Sequence, residues 1–137
     1  MLFLKQGKGE NYRLGHSNEE HVRFPKLVEA LRGKKVRDLS VGSTHILALT
    51  EDHLVYGWGR NDACQIDPSL SSVVPDPQLC PTLSGKSVIG LVCGPTQSFA
   101  WSMSNWSVSS RVAFVVDVCE ETFKLLDCLL TKACEGW

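Results

Sequence analysis

Apolar residues in this chain fall in short runs rather than in long helical stretches. Val36 to Val41 and His45 to Thr50 are strand-length apolar runs separated by Gly42-Ser43-Thr44. The polar triplet Glu51-Asp52-His53 predicts a reversal into a third strand, Leu54-Val55-Tyr56-Gly57-Trp58, which is rich in β-formers. Val88 to Cys93 and Ser98 to Trp101 read as a second pair of the first kind. Pro25 and Pro77 mark where the segment before each glycine-lysine turn begins. Periodicity leaves Lys26 to Leu31 open between a short helical turn and an extended stretch.

These runs recur. Displaced against itself by about 52 residues, a period in the propeller-repeat range, the chain aligns without a gap. Gly7 falls on Gly59, Pro25 on Pro77, Leu27 on Leu79 and Leu31 on Leu83. Gly33-Lys34 falls on Gly85-Lys86, Val36 on Val88, Leu39 on Leu91, Gly42 on Gly94 and Ala48 on Ala100. The matches are residues that fix backbone shape or fill a core. The fold class expected is therefore mainly β, a partial β-propeller of about two repeats with antiparallel blades, over residues 3–102.

After the repeats the pattern changes. Residues 103–111 are serine-rich and read as a linker, and residues 112–137 read as a strand-helix tail. Val112 to Cys119 is a strand-like apolar run. Asp117 with Glu120 suits a helix start, and Phe123, Leu126, Leu130 and Ala133 share one face at helical spacing. That amphipathic helix either packs on the propeller edge or offers Phe123, Leu126 and Leu130 to a partner.

Composition narrows the classes. Net charge is −1 and charged residues make up 21%, which gives no basic excess for phosphate contacts, so no direct nucleic-acid binding is expected. Arg32-Gly33-Lys34-Lys35 reads as a solvated loop. No apolar stretch approaches the roughly 20 residues that cross a bilayer, and Met1-Leu2-Phe3-Leu4 lacks the features of a secretion signal. The six cysteines include no Cys-x-x-Cys pair, and reduced thiols in a cytoplasmic or nuclear setting are expected. None of them forms a recognisable dyad with His16, His21, His45 or His53, so no catalytic residue is assigned. His45, inside an apolar run, reads as a satisfied structural histidine. Ligand spacings suit no metal, the glycine-rich run lacks a complete phosphate-binding fingerprint, and no cofactor is expected.

Taken together, Gly7-Lys8-Gly9-Glu10-Asn11-Tyr12-Arg13-Leu14-Gly15-His16, the Pro25 to Leu31 segment, Val41-Gly42-Ser43-Thr44-His45 and Ala48-Leu49-Thr50-Glu51-Asp52 resemble a known repeat. With Val55-Tyr56-Gly57-Trp58-Gly59-Arg60-Asn61-Asp62 opening the next unit, the resemblance is to the chromosome-condensation-regulator (RCC1) repeat. It is nearest to the repeats of the giant HERC ubiquitin ligases of the HERC2-like type. Phe114 to Cys119, Thr122-Phe123 and Leu125 to Leu130 resemble the segment that follows such a propeller.

The resemblance implies blades of antiparallel strands that serve as docking surfaces, with ubiquitin transfer in those ligases performed by a separate HECT domain that this chain does not resemble. The structural repeat residues it marks are Gly7, Gly15, Pro25, Gly33, Gly42, His45, Trp58, Gly59, Pro77, Gly85 and Gly94. It implies a non-catalytic protein-interaction module with protein partners of unknown identity and no membrane. The alternatives are a partial duplicate that competes with the full ligase or has no function, and a fragment that binds a small GTPase. Two repeats fall short of the roughly three that bury a continuous core, so marginal stability or self-association through exposed blade edges is expected.

The chain departs from the repeat pattern at several points. Gln6 stands where Trp58 stands in the next unit, Ser17 and His53 stand where glycine is usual, and Cys64-Gln65-Ile66-Asp67 replaces a run with two glycines. Where such a position has positive φ, a non-glycine residue costs about 1 kcal/mol.

Overall fold

Each apolar run becomes a strand because its neighbours in the chain supply the turn that folds it back on the last. A computed structural model describes residues 4–103 and 113–117. The strands are β1 (Leu4–Gly7), β2 (Val22–Leu27), β3 (Val36–Val41), β4 (His45–Thr50), β5 (Val55–Arg60), β6 (Val73–Leu79), β7 (Val88–Cys93), β8 (Ser98–Met103) and β9 (Ala113–Asp117). All pairings are antiparallel.

They form three sheets, with orders β1-β2, β3-β4-β5-β6 and β7-β8-β9. The 52-residue displacement superposes β1 and β2 on β5 and β6, and β3 and β4 on β7 and β8. The four-stranded sheet is thus one complete blade. β1-β2 corresponds to the outer half of the blade before it, and β7-β8-β9 to the inner three strands of the blade after it. This is the partial propeller that the sequence predicts, with the sequence repeat out of phase with the blade by half a sheet.

β2 and β6 are strands that the apolar pattern did not reveal. Pro25, Pro75 and Pro77 lie inside them rather than ahead of them. Proline removes a ladder donor and is confined to edges, and β2 and β6 are the outermost strands of their sheets. The open segment divides at its middle. Leu27 ends β2, and a 3₁₀ turn covers Glu29–Leu31, matched by another at Pro81–Leu83. Leu31 and Leu83 bury from these turns, and Gly33 and Gly85 reverse the chain beyond them at the same φ of 77°.

β4 is buried at every position from His45 to Thr50, held between β3 and β5 and packed against β7, which is why its sequence is continuously apolar rather than alternating. From β4, Ile46, Leu47, Ala48 and Leu49 form one core with Val55, Trp58, Ile66, Cys80 and Leu83. Among the described residues, no helix is long and apolar enough to cross a membrane. The helix expected after Asp117, with Phe123, Leu126 and Leu130, lies outside the described residues.

Candidate interaction surface

Seven of the eleven repeat residues, Gly15, Gly42, His45, Trp58, Gly59, Pro77 and Gly94, gather at two seams. At the first, Gly15 (φ 72°) lies so close to the next blade that a Cβ there would stand 3.0 Å from Trp58 Nε1 and 3.3 Å from Pro77 Cδ. The fully buried Trp58 indole donates to the carbonyl of Arg13 at 3.1 Å. Lys5 sits 5.7 Å over the same ring, and burial, with the charge of Arg13 adding, pushes its ammonium down to about 8.

At the second seam, three fastenings join equivalent or nearly equivalent positions of successive repeats, and a fourth, from His53, does not. Ser43 Oγ donates to the carbonyl of Pro95 at 2.8 Å. The Cys93 amide donates to Ser40 Oγ at 2.7 Å, and His45 Nε2 meets Ser98 Oγ at 2.7 Å. His53 Nδ1 reaches the Val88 carbonyl at 2.8 Å. Gly42 fits only as glycine, since a Cβ would fall 2.6 Å from His45 Cε1 and 2.7 Å from the Gly94 carbonyl. Gly59 (φ 106°) likewise faces the Thr44 carbonyl, 2.4 Å from where its Cβ would be. Gly7 (φ 121°), Gly33 and Gly85 turn the chain with open space about them, and Pro25 is exposed.

His45 is partnered on one nitrogen only. Its Nδ1 is buried with no partner, and burial drives the ring down to about 4, so it is neutral at pH 7. The His45–Ser98 pair has the contact of a nucleophile and its base. Both residues are fully buried and, among the described residues, no third group orients the ring, so the pair fastens strands instead. Burial raises both the Cys80 and Cys93 thiols, which makes them poor nucleophiles. Among the described residues, no group of three or more His, Cys, Asp or Glu could hold a metal.

At the loop end of the second seam, the β3–β4 and β7–β8 turns and the loop after β5 enclose a cleft of about 270 Å³. Ser43 and Thr44 face it from one turn, Pro95 and Thr96 from the equivalent turn, and Arg60, Asp62 and Gln65 from the loop. Arg60 Nε donates to Asp62 at 2.8 Å, and that hydrogen bond holds the Asp62 carboxyl below its ordinary value and the guanidinium above. Arg13 reaches over from the preceding blade, donating to the Ser43 carbonyl at 3.1 Å. The outcome is a polar rim contributed by three consecutive blades, with half-exposed hydrogen-bonding groups and no activated nucleophile.

The sequence reading missed what builds that loop. Asn61 is buried, and its carboxamide oxygen accepts from the Ile66 and Asp67 amides at 2.9 and 3.1 Å. Its nitrogen donates to the carbonyls of Asp67, Leu70 and Ser71. Buried Asp67 accepts from Ser69 and from both the amide and hydroxyl of Thr82. The available signal was an Asn and an Asp bounding a turn-rich segment, residues that bond nearby backbone in this way.

Comparison with known proteins agrees with this geometry. The family description "Regulator of chromosome condensation (RCC1) repeat" matches residues 6–49 and again residues 36–64. The E3 ubiquitin-protein ligase HERC2 of Mus musculus is 56% identical over 131 residues, and that of Homo sapiens likewise. The alignment takes in 95% of this chain and 3% of HERC2, so the chain spans a small part of that relative's length. The crystal structure of human WBSCR16 superposes with a TM-score of 0.65 at 21% identity, covering 84% of this chain and 33% of that one. Prp20p from Saccharomyces cerevisiae, described with its binding properties to Gsp1p and histones, gives 0.57 at 24% identity, covering 82% and 33%.

Proposed function

The chain is built from repeats of the regulator of chromosome condensation (RCC1) family, and from that premise we propose that it is a non-catalytic protein-interaction module of cytoplasmic or nuclear setting. One observation carries this reading: turns from two successive repeats and the Arg60 loop converge on a single polar cleft. Grooves at the ends of blades suit recognition of another protein's loop, with Arg60 and the Thr44 and Thr96 hydroxyls as the contacts. The raised pKa of the buried Cys80 and Cys93 thiols and the burial of His45 with Ser98 support a role without covalent chemistry.

The test is direct binding of the 137-residue chain to purified Gsp1p and to histones, the proteins named with Prp20p. The expected result is capture of one of them, weakened roughly tenfold or more by Arg60→Glu through charge reversal. Absence of capture, or capture indifferent to Arg60→Glu, would sink the assignment of the cleft.

A second reading is favoured by the 56% identity to HERC2. The chain would compete with the matching segment of that ligase for shared partners. Displacement of HERC2-bound proteins by excess chain is the expected result, and unchanged occupancy at saturation counts against it.

A further inference from the structure

The two units of the repeat differ at one place in a manner that their shared fold does not require. In the complete blade, Trp58, Gly59 and Arg60 of β5 stand beside Val73, Val74 and Pro75 of β6, and Arg60 is neutralised by Asp62. The equivalent positions 52 residues earlier are Gln6, Gly7, Lys8, His21, Val22 and Arg23. These six line a cleft of about 360 Å³ between β1 and β2. Gln6 in place of tryptophan gives up bulk there, and His21 and Arg23 put polar donors where Val73 and Pro75 are apolar.

The charge bookkeeping also changes. Glu10, the counterpart of Asp62, turns to Arg13 at 2.9 Å instead of to Lys8. Among the described residues, neither Lys8 nor Arg23 takes part in an ion pair, and no carboxylate lines the cleft. His21 Nδ1 accepts the Gly9 amide at 3.1 Å, so in the neutral ring the proton sits on Nε2, which is left as a donor. The cleft therefore offers two full positive charges and one neutral donor, all exposed.

We propose that this cleft between β1 and β2 binds a phosphorylated serine or threonine side chain of an extended partner peptide, held by Lys8, Arg23 and His21. A phosphate monoester brings close to two negative charges and three acceptor oxygens, which match this donor set. A single carboxylate would satisfy one arginine fork and leave the ammonium unpaired. This deepens the interaction-module reading with a partner chemistry, on a surface separate from the Arg60 cleft.

The experiment is titration of the ¹⁵N-labelled full chain with a short alanine-glycine peptide bearing one phosphoserine, followed by amide shifts. Parallel arms use the serine peptide, its glutamate counterpart and inorganic phosphate. The expected result is shifts centred on Gly7, Lys8, His21 and Arg23, with affinity roughly tenfold or more above every other arm. Lys8→Ala with Arg23→Ala, two exposed positions, should abolish the shifts, whereas Arg37→Ala on β3 should not. Equal binding of the glutamate peptide, equal binding of free phosphate, absence of binding, or binding retained in the double variant each overturns the proposal. Arg60→Glu leaves this titration unchanged, so failure here and failure of the Arg60 assignment are told apart.

Discussion

His45 Nε2 lies 2.7 Å from Ser98 Oγ, a hydrogen bond between two fully buried residues that ties β4 of one blade to β8 of the next. Among the described residues nothing meets the other ring nitrogen, and a proton placed there would be a buried charge with no partner.

Stability should therefore depend on pH through this ring. Burial holds folded His45 at about 4, below the roughly 6.5 of an unfolded chain. Between those values the unfolded chain binds more protons, so stability is complete above about pH 6.5 and falls as pH drops towards 4. The loss amounts to about 3 kcal/mol at most. Urea midpoints measured across that window should show a smaller slope for His45→Gln, and an identical slope would remove His45 as the cause.

Two residues at positive φ should respond to glycine in different ways. Cys64 (φ 55°) gains no side-chain hydrogen bond from its strained backbone, so Cys64→Gly should stabilise by about 1 kcal/mol. His53 (φ 61°) offsets its strain with the bond to Val88. His53→Gly should be close to neutral, and His53→Ala, which keeps the strain and loses the bond, should cost about 1 kcal/mol. Paired chemical-denaturation curves distinguish the two sites, and a stabilising His53→Ala would contradict this account.

That contrast bounds what the sequence could tell. Resemblance marked Ser17, His53, Cys64 and Asp67 as standing where glycine is usual; the first three have positive φ, and Asp67 does not. The apolar runs gave β3, β4, β5, β7 and most of β8: β4, β5 and β7 because their patterns are set by the core, and β3, though largely exposed, through its apolar Val36, Leu39 and Val41. β2 and β6 were hidden because edge strands tolerate proline and exposed residues. His45 was legible as structural but not as half-partnered, since Ser98 is distant in sequence. The cleft was not legible at all, being assembled from turns of separate blades.

Asn61 should be the most sensitive polar position. Asn61→Ala removes an acceptor for two amides and a donor to three carbonyls, and should destabilise by about 3 kcal/mol. Asn61→Asp keeps the acceptor alone and should be intermediate. Limited proteolysis is expected to cut first between residues 61 and 72 in the alanine variant, and cleavage elsewhere would argue that the loop is held by other groups.

Trp58 should separate packing from hydrogen bonding. Trp58→Phe forfeits the bond to the Arg13 carbonyl and should cost about 1–2 kcal/mol, whereas Trp58→Ala empties a fully buried site and should cost about 3–5 kcal/mol. Differential scanning calorimetry of both variants checks the ordering, and similar losses would mean that the indole N–H dominates.

The bond from Ser43 to Pro95 joins one position of a repeat to the same position of the next, 52 residues on. Such a seam measures the chain as a ruler does. Inserting a whole repeat between these residues hands each blade an equivalent neighbour and leaves every fastening in place. An added or missing residue within a strand puts Ser43, His45 and Ser40 out of step with Pro95, Ser98 and Cys93 together. Growth and loss of such proteins by gene duplication should therefore proceed in whole repeats, and tolerated length changes should collect in loops other than the β3–β4 and β7–β8 turns that carry Ser43 and Pro95.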